Sequence, residues 1–342
     1  MAYIGTKDYW LEHAIGNIFA DYGDSVTAEA KNKDLNKFGF TAQCQTTATE
    51  LQRLPTGTFN ETDIYQNLIT TISSANASDT GDVKIEGHTV GSDVSVSTLT
   101  QTTGTATCTT GAVHGHTTGD WVYISGANEA GYNGKVQVTV TNTTVFTYTV
   151  DAATATPATG TILSTNQNKT FVVQTVTLQG QTQVTLGTAL NKSSRFVVPP
   201  QNRATNIVGT VYVYENDTTA GTPGVPDTAA KVHLMNGTNG AINNSLKAST
   251  SISSADYFVV TFFHAHFEEK TAGFATVTLQ VREQGGVWLE KEDLTVSDNQ
   301  PSAVIEFKPY LIIPKNADVR LIGEASANGK DVGGSFEGVL LT

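Results

Sequence analysis

Two cysteines, two methionines and nine prolines stand in a chain of 342 residues, and charged residues make up only 15% of it. Each shortage excludes something. Cys44 and Cys108 cannot staple a chain of this size and form no metal-ligand pattern; with 63 residues between them, spacing leaves open whether they pair. No run of 18 apolar residues occurs, so no membrane-spanning helix is expected. The opening MAYIGTKDYWLEHAIGNIF lacks a basic stretch followed by a long apolar core and does not read as a secretory signal. Lys and Arg number 20 against 32 Asp and Glu, a net charge of -12, and the basic residues are scattered along the chain. Phosphate contacts need clustered Lys and Arg, so nucleic acid is not an expected partner. The hydrophobic fraction of 39% is enough to bury a core, which argues against a wholly disordered chain.

What the chain has instead is threonine, about one residue in six, with Gly, Asn, Ala and Ser close behind. Threonine is a strand residue, while Gly and Asn suit turns, so the composition predicts many short strands joined by tight turns. Residues 1–40 differ. Asp8 is a suitable N-cap, and Trp10/Leu11, Ala14/Ile15 and Ile18/Phe19 recur at helical spacing, predicting a short amphipathic helix and arm. So short a helix is marginal in water and must pack on something, its own core or a neighbouring subunit. Tyr9, Trp10, Ile15, Ile18 and Phe19 are the candidate assembly interface.

Residues 41–100 and 164–342 read as the main β-sandwich. Val83–Val90 and Thr175–Val184 share an alternating plan with a Gly in the middle, and each predicts a strand, a turn at Gly87 or Gly180, and a return strand in one sheet system. Ile207–Tyr214, Tyr257–His266 and Ala275–Arg282 are further strands, the last turning at Gly285-Gly286 into a return strand near Trp288. Val304–Phe307 and Leu311–Ile313 follow, and Val319–Ile322 and Ser335–Leu341 close the chain. Six or more antiparallel strands with long connections predict a jelly-roll-like sandwich. Residues 101–163 look inserted: 18 threonines, one basic residue, and five evenly spaced strands punctuated by glycine predict a small β-sandwich hung on a hairpin of the larger one.

A search for chemistry finds little. His114/His116 and His264/His266 are H-x-H pairs that share a strand face, but two ligands are not a metal site. No nucleophile elbow, phosphate loop or calcium loop is present, and neither cysteine has a reason to be a thiolate. Glu283, Glu290, Glu292 and Asp293 surround the Trp288 hairpin, a layout that would suit a sugar platform or, more plainly, a solvated hairpin. No enzyme activity and no cofactor are expected.

The inserted stretch runs His114-Gly115-His116-Thr117-Thr118-Gly119-Asp120-Trp121-Val122-Tyr123-Ile124-Ser125-Gly126, then Tyr132-Asn133-Gly134, then Phe146-Thr147-Tyr148. In order and spacing this resembles the immunoglobulin-like inserts of tailed-bacteriophage virion proteins. The opening Met1–Glu12, the segment Val176–Thr182 and the closing Gly334-Ser335-Phe336-Glu337-Gly338 are similar to a group of phage structural proteins. The resemblance implies a virion component, with itself as a partner in a trimer or ring, and the major capsid or other virion proteins as neighbours. A capsid decoration or cement subunit is the leading expectation, and a neck, tail, baseplate or fibre part is the alternative. The reading from another class is a glycan-binding or glycan-processing host-surface module using Trp288.

Overall fold

A computed structural model describes residues 33–51, 65–198, 207, 209–215, 222–227, 232–236, 245–268 and 272–342. The expected N-terminal helix, with Tyr9, Trp10, Ile15, Ile18 and Phe19, lies outside the described residues. Within them the chain is mainly β, with one 3-10 turn at Ala130–Tyr132.

Eight strands form the outermost unit: Lys33–Cys44, Ser249–Ser251, Tyr257–Phe267, Phe274–Arg282, Leu289–Ser297, Ser302–Ile313, Asp318–Ala325 and Lys330–Leu341. Numbered one to eight, they make one sheet in the order 1-8-3-6 and a second in the order 2-7-4-5, to which the two-residue strand Thr49–Glu50 adds beside Asp318–Ala325, with every pair antiparallel. This is the connectivity of a jelly roll. Alternation drives it: Ala275, Val277, Leu279 and Val281 point inward from one sheet and meet Phe258, Phe263 and Phe336 from the other, all buried. Val304–Phe307 and Leu311–Ile313, read as two segments either side of Pro309, form one twelve-residue strand, Ser302–Ile313, with its register shifted between Val260 and Phe262 of its partner. It lies at the edge of its sheet, where a residue with no N–H to donate is tolerated.

Between the first and second jelly-roll strands the chain builds a second sandwich. Thr80–Thr89 sits between Thr170–Gln179 and Lys192–Val197. The facing sheet runs Val184–Leu190, Ile69–Ser74, Val211–Glu215, Val232–Asn236. Ile72, Ile85, Leu178, Phe196 and Val213 fill the space between them. Gly180 does turn the chain, at φ +60°. Gly87 does not: it stays within the strand Thr80–Thr89, and a Cβ there would fall 2.4 Å from the Lys192 carbonyl oxygen. A glycine between alternating residues signals either a turn or a close backbone approach, and here the neighbouring strand selects the second.

The ten-residue ladder between Thr80–Thr89 and Thr170–Gln179 ends at Thr89 opposite Thr170, and residues 90–169 leave and return at that point. They hold seven strands, Asp93–Thr102, Thr105–Thr110, Trp121–Ala127, Gly134–Gln137, Thr139–Asn142, Val145–Thr149 and Gly160–Asn166. Numbered in turn, these run 4-3-7-1-2-6-5. The four-strand half, 1-2-6-5, and the three-strand half, 4-3-7, follow the immunoglobulin plan without its last strand, and strand 1 passes from one half to the other. Phe146, Tyr132, Val122, Ile124 and Leu99 close its core. Cys108 is buried here and Cys44 in the jelly-roll core, so the two thiols are free and apart; burial pushes Cys108 up to about 12 and Cys44 up to about 11.

Candidate functional site at the junction of the units

The return stem of the insert, residues 167–169, is held by side-chain and backbone groups of the jelly roll. Gln284 Nε2 donates to the Gln167 carbonyl at 2.8 Å. The Lys169 N–H donates to Asn316 Oδ1 at 2.7 Å, and Asn316 Nδ2 donates to Asn168 Oδ1 at 3.1 Å. The Ser254 N–H donates to the Lys169 carbonyl at 2.8 Å. On the outgoing side Asn67 bonds both polar groups of the Val90 backbone, donating to its carbonyl at 2.9 Å and accepting its N–H at 2.8 Å. Backbone groups satisfied in this way cannot turn freely, so the insert rests on a clamp and not on a flexible tether.

The centre of the clamp is Asp318. Lys169 Nζ lies 2.5 Å from Oδ1, Ser251 Oγ donates to the same oxygen at 2.5 Å, and Arg282 Nη2 donates to Oδ2 at 2.8 Å. Burial alone would raise this carboxyl; Lys169, Lys192 and Arg282 overcome that and hold it well below the usual carboxylate range.

Trp288 belongs to the same construction. It is half-buried, with the Arg320 guanidinium carbon 4.0 Å and the Arg282 guanidinium carbon 4.6 Å from its ring centre. Its ring therefore backs the arginine that grips Asp318. The hairpin it returns from also meets the insert: Gly285, at φ +79°, lies so close to Trp121 that a Cβ would sit 2.1 Å from the indole. Trp288→Ala is expected to cost about 2 kcal/mol of stability, from lost packing and two cation–π contacts. Chemical denaturation reads it, and an unchanged midpoint would refute the bracing role. Gly285→Ala brings both a disfavoured backbone conformation and a clash with Trp121. It is expected to free the insert, seen as faster proteolytic cleavage near residues 167–169 while the jelly-roll core keeps its near-native aromatic spectrum.

Both H-x-H pairs are used internally. His114 and His116 are buried, stack at 4.6 Å and lie edge-on to Phe146. His114 Nδ1 accepts the His116 N–H at 2.9 Å, which leaves Nε2–H to donate to the Asn142 carbonyl at 2.9 Å. Burial, with His114 beside it, pushes His116 down to about 4. Neutral rings bonded at both nitrogens have no lone pair turned outward for a metal. Asp120 completes this turn by accepting from the Thr117 N–H at 2.9 Å and from Asn166 Nδ2 at 3.0 Å. The second pair forms a stack on the jelly roll, Phe38–His266 at 5.5 Å and His266–His264 at 5.7 Å, with His264 Nε2 at 2.9 Å from Ser302 Oγ. Among the described residues no group of three or more His, Cys, Asp or Glu could hold a metal ion.

The junction of Lys169, Arg282 and Asp318 was not visible in the sequence, because its members come from three distant segments. The pairing of Asn166-Gln167-Asn168-Lys169 with Asn316 and Asp318, two polar runs bounding apolar strands, is the signal that could have marked it. No protein-family model matches the chain, and no curated protein matches it.

Proposed function

We propose that the chain is a non-enzymatic structural protein of a tailed-bacteriophage virion, a capsid decoration or cement subunit on the outside of the particle. The observation that carries this reading is the nesting: a jelly roll, a fold used in viral capsids, with an immunoglobulin-like unit held by a clamped stem. This agrees with the resemblance of His114–Tyr148 and Gly334–Gly338 to phage structural proteins. A fixed stem presents the insert in one orientation on every copy, and repeated weak contacts with host-surface glycans would then gain from avidity. A net charge of -12 suits an exterior subunit kept apart from enclosed nucleic acid.

The test is a copy count in purified particles by quantitative mass spectrometry, with antibody labelling in electron micrographs. Decoration predicts hundreds of copies on the shell, whereas a few to a dozen at one vertex would move the assignment to the neck, tail or baseplate. Absence from particles would refute the virion role.

A further inference from the structure

The basic residues that are scattered in sequence gather in space. Lys37 on the jelly-roll strand Lys33–Cys44, Lys84 on Thr80–Thr89, Lys192 and Arg195 on Lys192–Val197, and Lys247 just before Ser249–Ser251 meet where the jelly roll packs on the second sandwich. Glu86 is the carboxylate within reach of two of them, 3.8 Å from Lys37 Nζ and 3.5 Å from Lys84 Nζ. Asp318, farther along the seam, is already engaged by Lys169, Arg282 and Ser251.

Within this cluster lies a cavity of about 190 Å³ lined by Lys37, Arg195, Lys247, Asn36 and Phe38. Lys37 is 4% exposed, yet its ammonium is beyond hydrogen-bond distance from Glu86. Neither Lys37 nor Arg195 makes a side-chain hydrogen bond among the described residues. Lys247 Nζ donates to the Ser193 carbonyl at 3.0 Å and borders the same space. The Lys37 ammonium and the half-exposed Arg195 guanidinium thus border one small cavity with donors that no protein side chain engages by hydrogen bond, beside further like charge. Burial first, and then Arg195, Lys247 and Lys192, push Lys37 down to about 8 against the pull of Glu86. The volume is below the roughly 300 Å³ of drug-sized pockets and allows a small ion with a few waters.

We propose that this cavity binds a free tetrahedral oxyanion, phosphate or sulfate, held by Lys37, Arg195 and Lys247, and that the ion joins the jelly roll to the second sandwich. Such an ion accepts from all three cations at once, and a guanidinium suits it through paired donors. The site is independent of the virion assignment.

The test is calorimetric titration of the full chain at pH 7 in a buffer free of both ions. Sodium phosphate, sodium sulfate and sodium acetate are compared, together with glucose 6-phosphate and glucose 6-sulfate. Phosphate or sulfate is expected to bind saturably with a Kd of about 1 mM or tighter and to raise the melting temperature, with acetate at least ~10-fold weaker. Arg195→Gln, at a half-exposed position, is expected to weaken binding ~10-fold or more with its fold intact; Lys37→Met is the second variant. No saturable binding of either ion, or unchanged affinity in both folded variants, overturns the proposal. Tighter binding of a sugar ester than of the free ion overturns its assignment to a free ion and points to a sugar-borne group.

Discussion

Asp318→Ala is expected to lower the free energy of unfolding by about 3–5 kcal/mol, the range for breaking a buried ion pair from one side. The cost comes less from the lost attraction than from what remains. Lys169, with its side chain 8% exposed and already pushed down by burial, would lose the counter-ion that favours its charged form, and Ser251 and Arg282 would lose their acceptor. Replacing both members, Lys169→Met with Asp318→Leu, is expected to recover part of the loss, because the buried ammonium goes with its partner, while Arg282 and Ser251 still lack their acceptor. Urea unfolding followed by two probes, one in the insert and one in the jelly roll, tests this; a single-mutant loss below about 1 kcal/mol would mean that the pair is merely tolerated. The pH dependence of this contribution has a definite sign. The folded carboxyl lies below its unfolded value, so the stabilisation is present above about pH 4 and disappears as pH falls toward the folded value.

A second large effect is expected at milder acidity. His116 titrates at about 4 and His88 at about 3, both pushed down first by burial, His88 further by Lys169 and Lys37. Between those values and 6.5 the unfolded chain binds protons that the folded chain refuses, so stability rises with pH across that window and falls on acidification. From pH 7 to pH 5 each histidine is expected to remove about 2 kcal/mol. Melting curves at the two pH values test the sum. His116→Asn should flatten the profile even where it lowers stability at pH 7, because it removes a proton acceptor from the unfolded state. A profile as steep as that of the parent would exclude His116 as a source.

The elements that could be read in advance are those whose signal is local. Ala275–Arg282 alternates, and its apolar residues Ala275, Val277, Leu279 and Val281 are all buried in the jelly-roll core. The insert strand Thr105–Thr110 is delimited by Gly104 and Gly111, a boundary visible in the sequence itself. The jelly-roll class followed from the number of strands and the lengths of their connections. The second sandwich did not stand out as a body with its own core, because its apolar residues, Ile69 to Val213, alternate in the same way as those of the jelly roll, and period says nothing about which sheet a strand joins. Gly87 was misread as a turn for the related reason that its constraint is the Lys192 carbonyl, a hundred residues away. Trp288 stands out in the sequence, yet its neighbours Arg282 and Arg320 are set by strand pairing and not by local pattern. Long-range charge is the least legible feature: Lys37, Arg195 and Lys247 share a cavity although they lie in three distant segments.

The pairing of the first jelly-roll strand with the last has a consequence for the order in which the chain matures on the ribosome. Lys33–Cys44 takes its ladder from Lys330–Leu341, so its partner is synthesised long after it. The insert, by contrast, contains all seven of its strands within residues 90–169 and can close long before. Synthesis at about 5–20 residues per second leaves the early strand waiting roughly 15–60 s, during which folded inner units hang from an open outer one. Contacts of such sequence separation form slowly. Removal of the last strand would leave Lys33–Cys44 without its ladder and expose Tyr257–Phe267 along one side, two open edges available to other chains.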